Sequence, residues 1–244
     1  MTTDTSSTVR ALAVEIPGAT RIFEKLKIDY CCGGAKSLAD ACAVAGVNAE
    51  DVRQLLEEAR QSQATSDSAM DFQTASLTDL VTYILDQHHL FTKAEMARLE
   101  ALFEKVCSVH GQNHPELLRG KFLFQSLCAD LKPHMFKEEQ VFFPYIIRLE
   151  EAVSRKQTPN LPPFGTVRNP VRMMMLEHDT AGELLRQLRE VSSGYAVPAD
   201  ACISYKTLYE AMEAFERDLH QHIHLENNIL FPRAAEMESA AFSV

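Results

Sequence analysis

The chain has 244 residues, 46% of them hydrophobic, and a formal net charge of −10 from 24 basic against 34 acidic side chains. That hydrophobic share supports a sizeable buried core and argues against a disordered or fibrous chain, while the acidic balance argues against a nucleic-acid-binding surface. No apolar run approaches the roughly 18 residues of a membrane span. The opening Met1 to Ser7 lacks the pattern of a signal peptide, so the six cysteines are expected in a reducing cytoplasm, without structural disulfides.

Residues 9 to 60 read as a compact helical unit. Val9, Leu12, Ala13 and Ile16 recur at helical spacing before the stop signal Pro17-Gly18. Ala19 to Leu26 forms a second short helix, and Asp29 to Gly34 (DYCCGG) a glycine-rich turn holding the vicinal pair Cys31 and Cys32. Such a turn is expected to expose both thiols for iron, a cluster fragment, a nitrosyl group or oxidation. Ser37 and Asn48 are placed to cap two further helices. A core this thin calls for a partner surface or for dimerisation. The polar stretch Gln61 to Thr74 reads as a linker, giving a small helical domain over 1–62, a linker over 63–76 and a larger domain over 77–244.

In that larger domain four stretches carry helical periodicity: Ser76 or Thr78 to about Val109, Pro115 to about Ser154, Pro170 to Ser192, and Asp200 to Met237. Proline- and glycine-bearing loops separate them, and no strand pattern is present. An all-α antiparallel four-helix bundle with a small N-terminal helical domain is the expected fold.

The second and fourth stretches repeat one pattern, H-x-x-x-E-x-x-x-x-F-P. It occurs as His134 to Glu138 before Phe143-Pro144, and as His222 to Glu226 before Phe231-Pro232. Four residues apart, the histidine and glutamate lie about 40° apart around a helix, one turn from each other. Together they can offer an imidazole and a carboxylate to one metal-sized point. Apolar neighbours surround them: Met135, Phe136, Val141 and Phe142 in one copy, Ile223, Leu225, Ile229 and Leu230 in the other. Buried acids cost several kcal/mol unless a positive charge compensates them, so two copies on two helices point to two metals with bridging carboxylates.

The third helix adds His178, in line with Val171, Met174 and Leu185. The first offers His88 and His89, of which one can point at the bundle axis; periodicity leaves that choice open. Such a set suits two irons with positions free for an incoming ligand. His220 and His224, each about 200° from His222, are expected to face away from its metal. His110 and His114 are expected in a solvated turn. Glu139 and Glu177, next to candidate ligands, are expected in outer positions. Cys42, Cys107, Cys128 and Cys202 are expected to pack within helices.

These segments, with Glu177 to Glu183 (EHDTAGE), resemble the hemerythrin-like di-iron proteins. More closely they resemble the repair-of-iron-centres (RIC) group of the YtfE and ScdA type, over nearly the whole chain. The resemblance implies His89, His134, His178 and His222 as terminal ligands and Glu138 and Glu226 as bridges. It thereby selects His89 over His88, which stands where that family often has tyrosine. It further implies two iron ions per chain with oxo or hydroxo and carboxylate bridges, a homodimer, and damaged iron–sulfur proteins as partners. Nitric oxide or dioxygen would be the small ligand, and nitric oxide reduction at the di-iron centre the activity that the resemblance implies. A dioxygen- or nitric-oxide-sensing module is the alternative function, and zinc the competing metal.

Overall fold

The computed structural model describes residues 4–16, 18–31, 33–62 and 71–242. Cys32 and most of the expected linker lie outside these. Four short helices form the N-terminal unit: α1 (Val9–Glu15), α2 (Ala19–Lys25), α3 (Leu38–Ala45) and α4 (Ala49–Ser62). Each cap expected from the sequence is made. Ser37 Oγ accepts the Asp40 amide at 3.1 Å, and Asn48 Oδ1 accepts the Glu50 amide at 2.8 Å. The turn between α2 and α3 is sewn onto the start of α1, because the Arg10 amide donates to Gly34 O at 2.8 Å. A side chain at Gly34 would stand 2.7 Å from Tyr30 O, so only glycine permits this closure.

Four rods follow. The first is α5 (Leu77–Tyr83), a π-helical turn π1 (Ile84–His89) and α6 (Leu90–His110). The second is α7 (Glu116–Lys137), π2 (Glu138–Phe142) and α8 (Phe143–Ser154); the third is α9 (Arg168–Val191). The fourth is α10 (Ile203–Leu225), π3 (Glu226–Leu230) and α11 (Phe231–Phe242). The first rod packs on the second and fourth, and the second on the third, as a four-helix bundle requires. Among the described residues no strand forms beyond one isolated bridge, Thr8 with Ser37. Nor is any helix there long and apolar enough to cross a membrane.

Two apolar layers fill the bundle. One, including Met96, Leu99, Phe103, Leu131, Met135, Leu185, Phe215 and Leu219, occupies one half. The other, including Leu77, Ile84, Phe142, Phe143, Ile146, Met174, Leu225 and Phe231, occupies the other. His89, His134, His178 and His222 fall in sequence between members of the two layers, so the polar cluster is sandwiched between them. Two acids, half-buried Glu150 and buried Glu238, tie the far half together. Glu150 accepts the Leu77 and Thr78 amides at 2.8 Å, capping the first rod, and Glu238 takes the Tyr145 hydroxyl at 2.7 Å and the Val167 amide.

The three π turns were not anticipated. Phe143 N–H donates to Glu138 O and Phe231 N–H to Glu226 O, each five residues back. In both cases the next residue is proline, which has no N–H and whose ring crowds the carbonyl four residues earlier. The repeated F-P pair thus accounts for a widened turn directly after each glutamate, a feature frequent at functional sites.

The small unit has its own core, centred on Leu12, Ile16, Phe23, Leu38 and Leu56. The partner surface it needed is the chain's own fourth rod. Tyr30 meets the His224 ring edge-on at 5.3 Å, and Asn228 Nδ2 donates to Tyr30 O at 3.3 Å. Burial corrects two sequence expectations here. Cys31 is 1% exposed rather than displayed; it packs into the first apolar layer and its thiol donates to Asp29 Oδ1 at 3.4 Å. Phe136 and Val141, read as part of the apolar setting, face solvent: Phe136, two residues from His134, lies on the opposite side of its rod, and Val141 falls inside the widened turn π2.

Candidate metal centre

The two repeated pairs meet inside the bundle. Glu138 and Glu226 are fully buried, and His89, His134, His178 and His222 are 1–3% exposed. Two overlapping groups result: His89, Glu138, His222 and Glu226, and His134, Glu138, His178 and Glu226, with one ligand-type atom from each residue within 4.8 Å of the others. Both glutamates belong to both groups.

Helical spacing brings each pair together along its own rod: His134 Nε2 lies 3.2 Å from Glu138 Oε1, and His222 Nε2 3.1 Å from Glu226 Oε1. The other two histidines come across the bundle, His89 Nε2 to 3.5 Å from Glu138 Oε2 and His178 Nε2 to 3.3 Å from Glu226 Oε2. Despite this proximity, both oxygens of Glu138 and Oε2 of Glu226 make no hydrogen bond among the described residues. Orphaned carboxylate oxygens at zero exposure are costly and demand a compensating charge.

The outer nitrogens sharpen that demand. His89 Nδ1 lies 2.7 Å from Glu139 Oε1, His134 Nδ1 2.7 Å from Glu177 Oε2, and His178 Nδ1 2.9 Å from Asn227 Oδ1. Each carboxylate or amide oxygen accepts, so each ring carries its proton on Nδ1 and turns the Nε2 lone pair inward. Yet His134 Nε2 and His178 Nε2 are only 3.0 Å apart, and His89 Nε2 and His222 Nε2 3.1 Å. In the His134–His178 pair, where both rings carry the proton on Nδ1, two lone pairs aimed at each other repel unless a cation lies between them. Two imidazoles at right angles on one metal, with bonds of about 2.1 Å, would hold their nitrogens about 3 Å apart. Imidazole nitrogen with carboxylate oxygen is a donor set for a divalent transition metal, and the residues present fit one in each group.

Electrostatics agree. Burial pulls the His134 imidazole down, but the Glu138 and Glu226 carboxylates and the Glu177 hydrogen bond outweigh it and raise it to about 9. Burial likewise pushes Glu226 up, yet the His222 charge and the His178 and His222 contacts hold it well below the usual carboxylate range. With no metal, the buried acids draw protons toward His89 and His134, while burial holds His222 below its ordinary value.

The remaining sequence-predicted residues separate as follows. Glu139 and Glu177 occupy the expected outer positions and are themselves gripped by Lys93 and Lys137. His88 is also buried, but of the adjacent pair it is His89 that joins the cluster, as expected of neighbours that cannot both point at the bundle axis; the wide π1 turn that holds both has Leu90 N–H donating to Leu85 O. His224 faces the N-terminal unit, and His220 lines a cavity of about 440 Å³ between that unit and the bundle. His114 sits in the turn between α6 and α7, partly exposed, and bridges Glu116 at 2.8 Å and Asp200 at 3.1 Å beside His110 and Tyr205. Cys202 is exposed at the start of α10 instead of packed within a helix, because that helix begins only at Ile203. Asn227 was missed, its only signal being its place beside Glu226.

Comparison with known proteins matches residues 5–60 to the ScdA_N domain, a domain of unknown function, and residues 80–234 to the hemerythrin HHE cation-binding domain. A probable iron-sulfur cluster repair protein from Haemophilus influenzae is 34% identical over 222 residues, covering 91% of this chain and 93% of that one. The iron-sulfur cluster repair protein YtfE of Yersinia pseudotuberculosis is 33% identical over 230 residues, 93% of this chain and 96% of its own, and that of Yersinia pestis matches equally.

Proposed function

Because this chain belongs to the iron–sulfur cluster repair family built on the hemerythrin HHE cation-binding domain, we propose that it is a non-haem di-iron protein. Its task is to restore iron–sulfur clusters damaged by nitrosative or oxidative stress, by donating iron or by nitric oxide chemistry. The observation that carries this reading is the sharing of Glu138 and Glu226 by both histidine groups. His89 and His222 would hold one iron, His134 and His178 the other, with the two carboxylates spanning them. The relatives' names, iron-sulfur cluster repair proteins, support iron–sulfur proteins as clients, and we place the chain and its clients in the cytoplasm. Residues 1–62 then act as a module docked on the metal bundle of 77–244 through the linker 63–76.

Bound there, iron supplies Lewis-acid and one-electron redox chemistry together with a releasable metal store. The protein's own residues set the terms. Glu139, Glu177 and Asn227 hold the Nδ1 protons, so the inner nitrogens stay unprotonated and aimed. Four neutral imidazoles with two carboxylates carry less negative charge than the carboxylate-rich ferritin-like sites. That balance favours the reduced metal, suited to donation or nitric oxide binding. The imidazoles must bind neutral and the glutamates ionised, so acid releases the metal.

Anaerobic iron loading followed by a repair assay on a nitric-oxide-damaged dehydratase tests this. About two irons per chain are expected, and Glu138→Ala should lose both because it serves both groups. Fewer than about one and a half irons, or undiminished loading in Glu138→Ala, would refute the reading.

A further inference from the structure

Three of the four cluster imidazoles are steered by a hydrogen bond at Nδ1. The fourth is not: His222 Nδ1 is buried and has no partner among the described residues. A ligand ring without an outer hydrogen bond keeps rotational freedom that costs binding, because outer partners fix both ring orientation and tautomer. Something else must hold it.

The His222 ring is covered by His88. The two planes are within 5° of parallel, with centroids 5.7 Å apart, an offset stack. His88 is itself immobilised. It is 4% exposed, its Nδ1 lies 3.0 Å from Asp218 Oδ1, and the Tyr83 ring meets it edge-on at 5.6 Å. Asp218 stands one helical turn before His222 on the same rod, whereas His88 arrives from the first rod through π1. The acid therefore fixes the brace relative to the very ring being braced. His88 Nε2 is buried without a partner and belongs to neither histidine–glutamate group, so the flat face of the ring is what it offers.

We propose that His88, anchored by Asp218, is the positioning residue for His222, fixing by ring stacking the one cluster imidazole whose Nδ1 no hydrogen bond holds. The inference rests on the reading above that His222 holds metal. Neighbouring residues thus divide the work: His89 joins the cluster, and His88 steadies the ligand opposite.

The test uses the full chain, titrated anaerobically with ferrous iron against a chromophoric chelator. The variants are His88→Phe, which keeps a flat ring, His88→Leu, which keeps bulk without one, and His88→Ala. Wild type should fill two positions. His88→Leu and His88→Ala should weaken one of them by about tenfold, within the range for outer-sphere ligand supports, and should alter the absorption of the air-oxidised centre. His88→Phe should restore both affinity and spectrum. Metal-free melting that is equal in His88→Leu and His88→Phe separates positioning from bulk stability, and His88→Leu stands in should His88→Ala fail to fold. Wild-type affinities in His88→Leu would overturn the inference, as would His88→Phe behaving like His88→Leu, which would make the nitrogens rather than the ring the active feature. A wild type that takes up no iron overturns the metal reading and this inference together, whereas normal wild-type loading with unaffected variants overturns only the inference.

Discussion

His134 and His178 bring their Nε2 atoms to 3.0 Å while each Nδ1 is already engaged, by Glu177 and by Asn227. His178 cannot rotate to relieve the contact without leaving the buried Asn227 oxygen unpaired, a loss of about 1–3 kcal/mol, and His134 cannot without giving up its bond to the Glu177 carboxylate. The centre is therefore built in a geometry that only a cation or an added proton satisfies.

The outer acids should matter nearly as much as the inner ones. Glu139 is pushed up by burial but held below its ordinary value by Lys93 and His89, so it stays ionised and keeps the His89 ring electron-rich. Glu177 does the same for His134 with Lys137. Glu139→Ala and Glu177→Ala should each weaken iron binding about 10- to 100-fold. The first should act on the group containing His89 and the second on that containing His134. Competition titration resolves the two, and unchanged affinity in both variants would contradict the assigned roles.

Among the described cysteines, Cys202 should be the fast-reacting thiol. Backbone N–H at the start of α10, chiefly that of Tyr205, and the His110 side chain bring it down to about 7. Burial pushes Cys128 up to about 12 and raises Cys42 and Cys107. Because the thiolate is the nucleophile, alkylation of Cys202 should rise with pH through about 7 and level off by about 8. Cys42, Cys107 and Cys128 should remain slow in the folded protein. Peptide mapping after short iodoacetamide pulses measures this, and a Cys202 profile still climbing through pH 9 would be the contrary result.

Docking of the N-terminal unit should depend on one amide. Asn228 Nδ2 reaches both Tyr30 O and His224 Nδ1, the latter at 2.7 Å, from the π turn that also carries Glu226 and Asn227. Asn228→Ala should remove about 1–2 kcal/mol of docking stability and raise amide exchange around residues 28–31 well before the bundle core exchanges. Exchange that is uniform across the chain, or unaltered, would show that the contact is incidental.

Much of this was readable in the residues themselves. A repeated histidine–glutamate spacing of four keeps both groups on one face of any helix, and the rods were bounded by Pro115, the proline loop before Arg168 and Gly194. The exposure of Phe136 was also legible, since two residues from His134 is the opposite side. What the sequence hid was relational. The pairing of His89 with Glu139, of His134 with Glu177 and of His88 with Asp218 depends on which rods abut. The F-P pairs read as punctuation, yet they act by widening the turn before them. The docking of Tyr30 on His224 joins residues nearly two hundred positions apart, beyond the reach of any local pattern.

The widened turns carry an implication for how such a chain tolerates change. Each inserts one residue into its rod, so the helix beyond it is rotated by about 100° relative to an unbroken one. Deleting Gln140 or Asn228 would straighten the rod and swing Ile146 and Leu149, or Ala234, from the dry interior toward water. The two ends of the molecule are thus keyed to each other like halves of a lock, and length changes there should be rejected even where substitutions are accepted.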